Sequence, residues 1–233
     1  NEELSDQFPD ELIEAATREH IERKRAEQDA FEKTELPQLL ERVDERVTAA
    51  IEQGILPVEL ERWIHTRDST VVMPMDEIMA ARYGGESSGG YYPESGIHLN
   101  PKLSPEEKVH TLTHEFFHAL SGNRVNKTTK IEEFELNDGT ILRDENVEFD
   151  HQRSGLGFSE NFPNRVERFK WLNEAMTERL AMKVIGTEDA EFYKQEIELA
   201  HVLERNLGED AATLFKNAYF ENFNPEAEDG QEH

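Results

Sequence analysis

The 233-residue chain contains no cysteine. That excludes disulfides, thiolate nucleophiles and Cys-ligated zinc, so any metal has to be held by histidine and carboxylate. No apolar run comes near the roughly 18 residues that a membrane span needs, and none is expected. Basic residues are few. Lys plus Arg number 25 against 51 Asp plus Glu, a formal charge of −26, which argues against nucleic-acid phosphates or anionic lipid as the main partner. Hydrophobic residues make up only 36%, enough for one core, and the surplus charge is expected on solvated helices or a tail. The chain opens on Asn1 rather than Met and offers no signal or transit pattern, which reads as a trimmed or processed product. A soluble protein is expected, with a cytoplasmic and a secreted address both compatible.

Residues 10–53 read as helix. Leu12, Ile13, Ala16 and Ile21, then Ala30 and Phe31, form a thin apolar stripe among charges. Beyond the break at Pro37, Leu39, Leu40, Val43, Val47, Ala50 and Ile51 recur at helical spacing, and Gly54 supplies a stop. The expectation is a charged helical extension over residues 1–53, a solvated hairpin packed on the main domain. The sharper alternative is a partner-binding arm or an inhibitory pro-segment. Next come a short strand at 71–73, a helical turn at 78–83 and a flexible glycine loop at 84–90. Short strands at 91–92 and 97–99 follow, with Pro93 suiting a sheet edge.

Ser104, Pro105 and Glu107 combine a cap, a first-turn proline and a capping box, and so start a helix running to about Leu120. A polar insertion follows: strands at 131–136 and 140–143 around Asn137-Asp138-Gly139 form a β-hairpin, with 147–149 as a candidate third strand. Residues 153–158 read as a glycine-hinged lid or as an ordinary connector. Helices are expected at 163–185, 188–207 and 209–223, and an acidic disordered tail at 224–233.

The helix starting at Pro105 carries His114-Glu115-Phe116-Phe117-His118, an H-E-x-x-H pattern. Residues four apart differ by about 40° around a helix axis and roughly 6 Å along it, so both imidazoles can reach one tetrahedral Zn²⁺. Glu115 stands beside the metal, where a carboxylate can hold a water and accept its proton. The plain alternative is a helix whose histidines face solvent or satisfy core hydrogen bonds; the mid-helix position, with Phe116 and Phe117 anchoring the other face, favours the metal. His110 shares the histidine face, but about 12 Å along the axis separates it from His118. The pair His110/His114 has Thr111 where the glutamate would stand, so His110 is expected in a structural role or hydrogen-bonded behind the metal.

A catalytic zinc wants a third protein ligand and one open position. The metzincin pattern would need Gly at 121 and His at 124, where this chain has Ser121 and Arg124; that class is excluded. The segment Trp171-Leu172-Asn173-Glu174-Ala175-Met176-Thr177-Glu178 offers carboxylates on a second helix whose Phe169, Leu172, Met176 and Leu180 form an apolar face. Glu174 and Glu178 are both candidates for the third ligand, and Asp150 and His151 at the end of the insertion compete with them.

These two segments resemble the gluzincin class of zinc metallopeptidases, in which H-E-x-x-H is joined by the Glu of a downstream N-E-x-x-x-D/E helix. The likeness covers the two motif helices and, more loosely, the strands at 91–100; it does not reach the first 55 residues or the insertion. It implies one Zn²⁺ held by His114, His118 and Glu174. It also implies that Asn173 and Glu178 hydrogen-bond the outer ring nitrogens of His118 and His114. The implied activity is peptide-bond hydrolysis on a peptide or protein substrate, with Glu115 as the base and an edge strand at 91–99 receiving the substrate. A His, Tyr or Arg usually steadies the oxyanion in this class; the candidates are His151, Arg153, Tyr193 and His201. The fold class expected is therefore α+β and mostly helical: a zincin-like catalytic domain over residues 54–223, a small sheet beside the motif helix, the β-hairpin insertion and the N-terminal helical extension. Two other classes remain open: a catalytically inactive zincin-fold binding protein acting through its N-terminal helices, and a helical interaction protein whose motif is accidental.

Overall fold

In the computed structural model, which describes residues 10–76, 87–93, 95–121, 123–136, 140–160, 166–187, 193–208 and 210–220, the chain is α+β and mostly helical. The helices are α1 (Asp10–Thr34), α2 (Leu36–Glu52), α3 (Leu60–Ser69), α4 (Pro105–Leu120), α5 (Lys170–Ile185), α6 (Lys194–Leu207) and α7 (Ala211–Phe220). Among the described residues no helix is long and apolar enough to cross a membrane.

Helix α4 is the centre of the packing. Its start is fixed by a reciprocal cap: Ser104 Oγ accepts from the Glu107 N–H at 3.3 Å while the Ser104 N–H donates to Glu107 Oε2 at 2.7 Å. From Lys108 to His118 every residue is buried, so the helix must satisfy apolar neighbours on one side and polar ones on the other. Phe116 and Phe117 take the apolar side, and Phe116 meets Trp63 of α3 edge-on at 5.3 Å.

Helix α2 shares this core. Leu39, Val43, Val47 and Ala50 are buried in the same cluster as Val109, Leu112, Phe116 and Phe117 of α4 and Leu172, Ala175 and Met176 of α5. The boundary expected after residue 53 therefore does not divide two cores; α2 is an integral layer, not a solvated extension. Pro37 stands in its first turn, where a missing N–H costs nothing. Helix α1 matches the solvated expectation better, burying Ile13, His20 and Phe31 along a thin line. It lies on the sheets, with Gln28 Nε2 donating to the Val72 carbonyl at 3.0 Å and Thr17 Oγ1 accepting from the Arg143 N–H at 3.2 Å.

A three-stranded sheet flanks α4: β1 (Val72–Pro74), β2 (Gly89–Tyr92) and β3 (Gly96–Leu99), in the order β1-β3-β2. Strand β3 runs parallel to β1 and antiparallel to β2. Gly89 and Gly90, expected in a flexible loop, are instead paired in β2 opposite Leu99 and His98. The reason is proximity: a Cβ on Gly89 would come within 2.7 Å of Thr111 Cγ2 on α4, so only glycine lets the strand lie so close to the helix. The helical turn expected at 78–83 and the rest of the glycine loop lie outside the described residues.

The insertion is larger than expected. A second sheet, ordered β4-β5-β6-β7, contains β4 (Asn123–Glu135), β5 (Ile141–Ser154), β6 (Gly157–Glu160) and β7 (Val166–Arg168), all antiparallel. Residues 147–149 belong to β5, not to a third strand, and 153–158 comprise the end of β5, a two-residue turn at 155–156 and the start of β6, an ordinary connector between paired strands. Residues 166–168 are strand, so the helix expected from 163 begins only at Lys170. The hairpin tip and the tail at 224–233 lie outside the described residues.

Because α2 carries its apolar face into the common core, Leu39→Ala is expected to lower unfolding stability by about 2–5 kcal/mol, read as a shift of the urea midpoint at unchanged slope. A shift equivalent to less than about 0.5 kcal/mol, typical of a surface substitution, would place α2 outside the core.

Candidate metal centre

The polar side of α4 faces α5. At spacing four, His110, His114 and His118 form one row on α4, and Glu174 and Glu178 form another on α5, one helical turn apart. The rows interlock in opposite directions. His118 Nε2 lies 3.2 Å and His114 Nε2 3.3 Å from Glu174 Oε2, and the two Nε2 atoms lie 3.1 Å apart. Four tetrahedral bonds of about 2.0–2.1 Å put neighbouring ligand atoms about 3.3 Å apart. The triangle thus fits one ion, and His114, His118 and Glu174 could hold a metal. Glu178 is not part of the triangle. Its Oε2 accepts from His114 Nδ1 at 2.9 Å and its oxygens lie 3.0 and 3.2 Å from His110 Nε2, so it meets the outer side of the His114 ring.

Asn173 reaches His118 from the equivalent side. Its Nδ2 donates to His118 Nδ1 at 3.3 Å, while its Oδ1 accepts from the Leu156 N–H at 2.9 Å. Asn173 and Glu178 therefore contact the outer nitrogens of the two rings. The turn between β5 and β6 is built against this amide: Gly155 has φ +52, and a Cβ there would fall 2.5 Å from Asn173 Oδ1.

Glu115 points past the triangle toward β2, where its Oε2 accepts from the Tyr91 N–H at 2.8 Å. A cavity of about 190 Å³ opens beside it, lined by Ser87, Gly89, His110, Thr111, His114 and Tyr193 among others. Tyr193 stacks on His114 with ring centroids 5.6 Å apart and planes 16° from parallel. It adopts φ +57, a left-handed conformation uncommon for an aromatic residue, immediately before α6. None of the described residues of α1 or α2 lines the cavity. His201 is exposed on α6 and does not line the cavity. Asp150, His151 and Arg153 lie on β5, with His151 opposite Asn126 and Glu160 and Arg153 opposite Arg124 and Phe158.

The charges are tightly coupled. Burial opposes ionisation of Glu174, but the His118 and His114 rings outweigh it and hold the carboxyl well below its usual range. Glu178 is likewise opposed by burial, yet hydrogen bonds from His110 and His114 bring it down to about 2. For His114, burial disfavours the charged ring, and contacts with Glu174 and Glu178, aided by the Glu115 charge, overcome it and push the pKa up to about 10. Burial, with the Glu174 charge adding to it, pushes Glu115 up against the pull of both rings and of the Tyr91 N–H. Burial and the neighbouring Glu174 and Glu115 charges also raise the Tyr193 phenol, which therefore keeps its proton at neutral pH. Three carboxyl groups around two imidazoles make a site that attracts a cation.

Tyr91 and Gly89 were not singled out as site residues. Their contributions are a main-chain N–H and an absent Cβ, neither of which a residue pattern announces. Comparison of the chain with protein-family models, with curated proteins and with solved structures finds no match.

One divalent cation per chain is expected, measured as metal content after equilibrium dialysis. At a free cation concentration of 100 Kd the unfolding free energy should rise by about 2.7 kcal/mol. His118→Ala should lose both the bound ion and the stabilisation; a variant that keeps one tightly held ion would dissolve the triangle as the binding site.

Proposed function

We propose that this chain is a zinc-dependent peptidase of gluzincin type with a zincin-like catalytic core, hydrolysing bonds in a peptide or protein substrate. The observation that carries the reading is the convergence of His114 Nε2, His118 Nε2 and Glu174 Oε2 from two helices to within 3.1–3.3 Å of one another, with a third carboxylate, Glu115, beside the triangle instead of in it. Two imidazoles and one carboxylate leave a fourth tetrahedral position open, which is the ligand pattern of catalytic rather than structural zinc. When bound, the ion would polarise the scissile carbonyl and lower the pKa of a water at that position toward about 7.

The remaining work falls to side chains. Glu115 takes the proton of the attacking water and passes it to the leaving amine nitrogen. The Tyr91 N–H at 2.8 Å fixes one of its oxygens, and its burial favours the protonated form needed for the second half of that exchange. Of the oxyanion candidates, Tyr193 lines the cavity, and its phenol stays a donor; it is assigned the stabilising hydrogen bond to the tetrahedral oxyanion. Strand β2 is an edge strand, so an extended substrate laid along it would bring its backbone past Glu115.

Glu115→Gln is expected to retain zinc and to lose about 10²–10⁴-fold or more in turnover of a quenched peptide library; a variant as active as the parent would remove the base assignment. Tyr193→Phe is expected to retain zinc and lose about 10²–10³-fold in kcat, and an unchanged kcat would free Tyr193 from that role. A zinc-loaded parent that cleaves no member of the library is the result expected of a metal-bearing binding module instead.

A further inference from the structure

His110 is unused by the reaction just described, yet it is buried and occupied. Glu178 is 1% exposed and is approached from two sides, by His114 Nδ1 at 2.9 Å and by His110 Nε2 at 3.0 and 3.2 Å. A carboxylate withdrawn from water needs donors for both oxygens. With His114 alone it would have one, and rotation about its last side-chain bond would be opposed only by that contact. His110 supplies the second donor from one helical turn earlier on the same face of α4, and its bifurcated contact to both oxygens fixes the plane of the carboxylate. Orientation of that plane decides which nitrogen of His114 carries a proton. While Glu178 accepts at Nδ1, the Nε2 atom of the triangle can present its lone pair outward.

We propose that His110 is a positioning residue of the metal centre: by donating from Nε2 it clamps Glu178 against His114 Nδ1 and so holds the His114 ring in the tautomer and orientation that the ligand triangle requires. This rests on the reading of the triangle as a zinc site, though not on peptidase activity. Thr111, the next residue, packs against β2 instead, so the rigid backbone of α4 serves strand and clamp together.

The test compares two replacements of closely similar length. His110→Gln restores an N–H donor near the position of Nε2; His110→Met fills similar space without one. Zinc affinity, measured by competition with a chromophoric chelator, should fall about tenfold in His110→Met and return to within about threefold of the parent in His110→Gln. Equal affinities for the two variants would overturn the clamp while leaving the zinc site standing; a parent that binds no zinc would remove both. Histidine side-chain ¹H–¹⁵N spectra of the zinc-loaded parent decide the matter even if a variant fails to fold. They should place the proton of His114 on Nδ1 and a proton on Nε2 of His110, and a bare Nε2 on His110 or a bare Nδ1 on His114 overturns the proposal.

Discussion

The row of three imidazoles facing two glutamates across the α4–α5 interface is the constraint around which the rest is arranged. Burying a carboxylate costs several kcal/mol even after the surroundings relax, and Glu174 and Glu178 are both largely withdrawn from water. Only partners at matched positions offset that cost. Spacing four on both helices supplies them, because each step advances about one turn. His118 and His114 share Glu174, and His114 and His110 share Glu178. Displacing one helix by a turn would leave a glutamate or an imidazole buried without a counterpart. Polar registration of this kind fixes how two helices dock more sharply than apolar contact does, since apolar surfaces tolerate sliding.

Such a row can be held only if the other sides of α4 are immobilised. Phe116 and Phe117 enter the core beside Trp63, whose Nε1 donates to Asp44 of α2 at 2.9 Å. The half-buried Arg62 guanidinium donates to the Leu120 carbonyl at the end of α4 and, at 2.9 Å, to the Phe220 carbonyl at the end of α7. Burial lowers its pKa to about 10, which still leaves it charged at neutral pH and suited to carbonyls at helix C-termini. Thr177 Oγ1 and Tyr219 Oη, 2.7 Å apart, tie α7 to α5. The helices that bear the site are thus each anchored at more than one point.

What was legible in the sequence follows the same physics. A helix that announces itself with Ser104, Pro105 and Glu107 and repeats histidine every four residues is readable because cap chemistry and periodicity are local. The contacts of Asn173 with His118 and of Glu178 with His114 were implied only by the likeness of their segment to the gluzincin class, and periodicity by itself names neither. The long strands β4 and β5 were underestimated because they are rich in charged and amide residues, as in Asn123-Arg124-Val125-Asn126-Lys127. Without a strict apolar alternation, the hydrophobic period carries little signal, and what remains is pairing of one backbone with another. Helix α2 was misjudged for the opposite reason: its amphipathic stripe was plain, but the partner for that stripe lies some 60 residues further along, and a one-dimensional pattern names no partner. The role of Gly89 was illegible for want of any knowledge of where Thr111 would be.

Asn173 shows how far the site's demands extend. Its amide nitrogen donates to His118 Nδ1 while its oxygen accepts from the Leu156 N–H, an arrangement in which Nδ1 is an acceptor. A ring that gives its Nε2 lone pair to a cation carries its proton on Nδ1 instead, and Nδ1 then needs an acceptor. The amide oxygen has two lone pairs, so it can serve the ring and the Leu156 N–H together only if both converge on it. Gly155, with φ +52 and no room for a Cβ beside that oxygen, lets the β5–β6 turn bring the Leu156 N–H to 2.9 Å from it. The second sheet, which contributes no residue to the ligand triangle, is in this way coupled to it through a single side-chain amide.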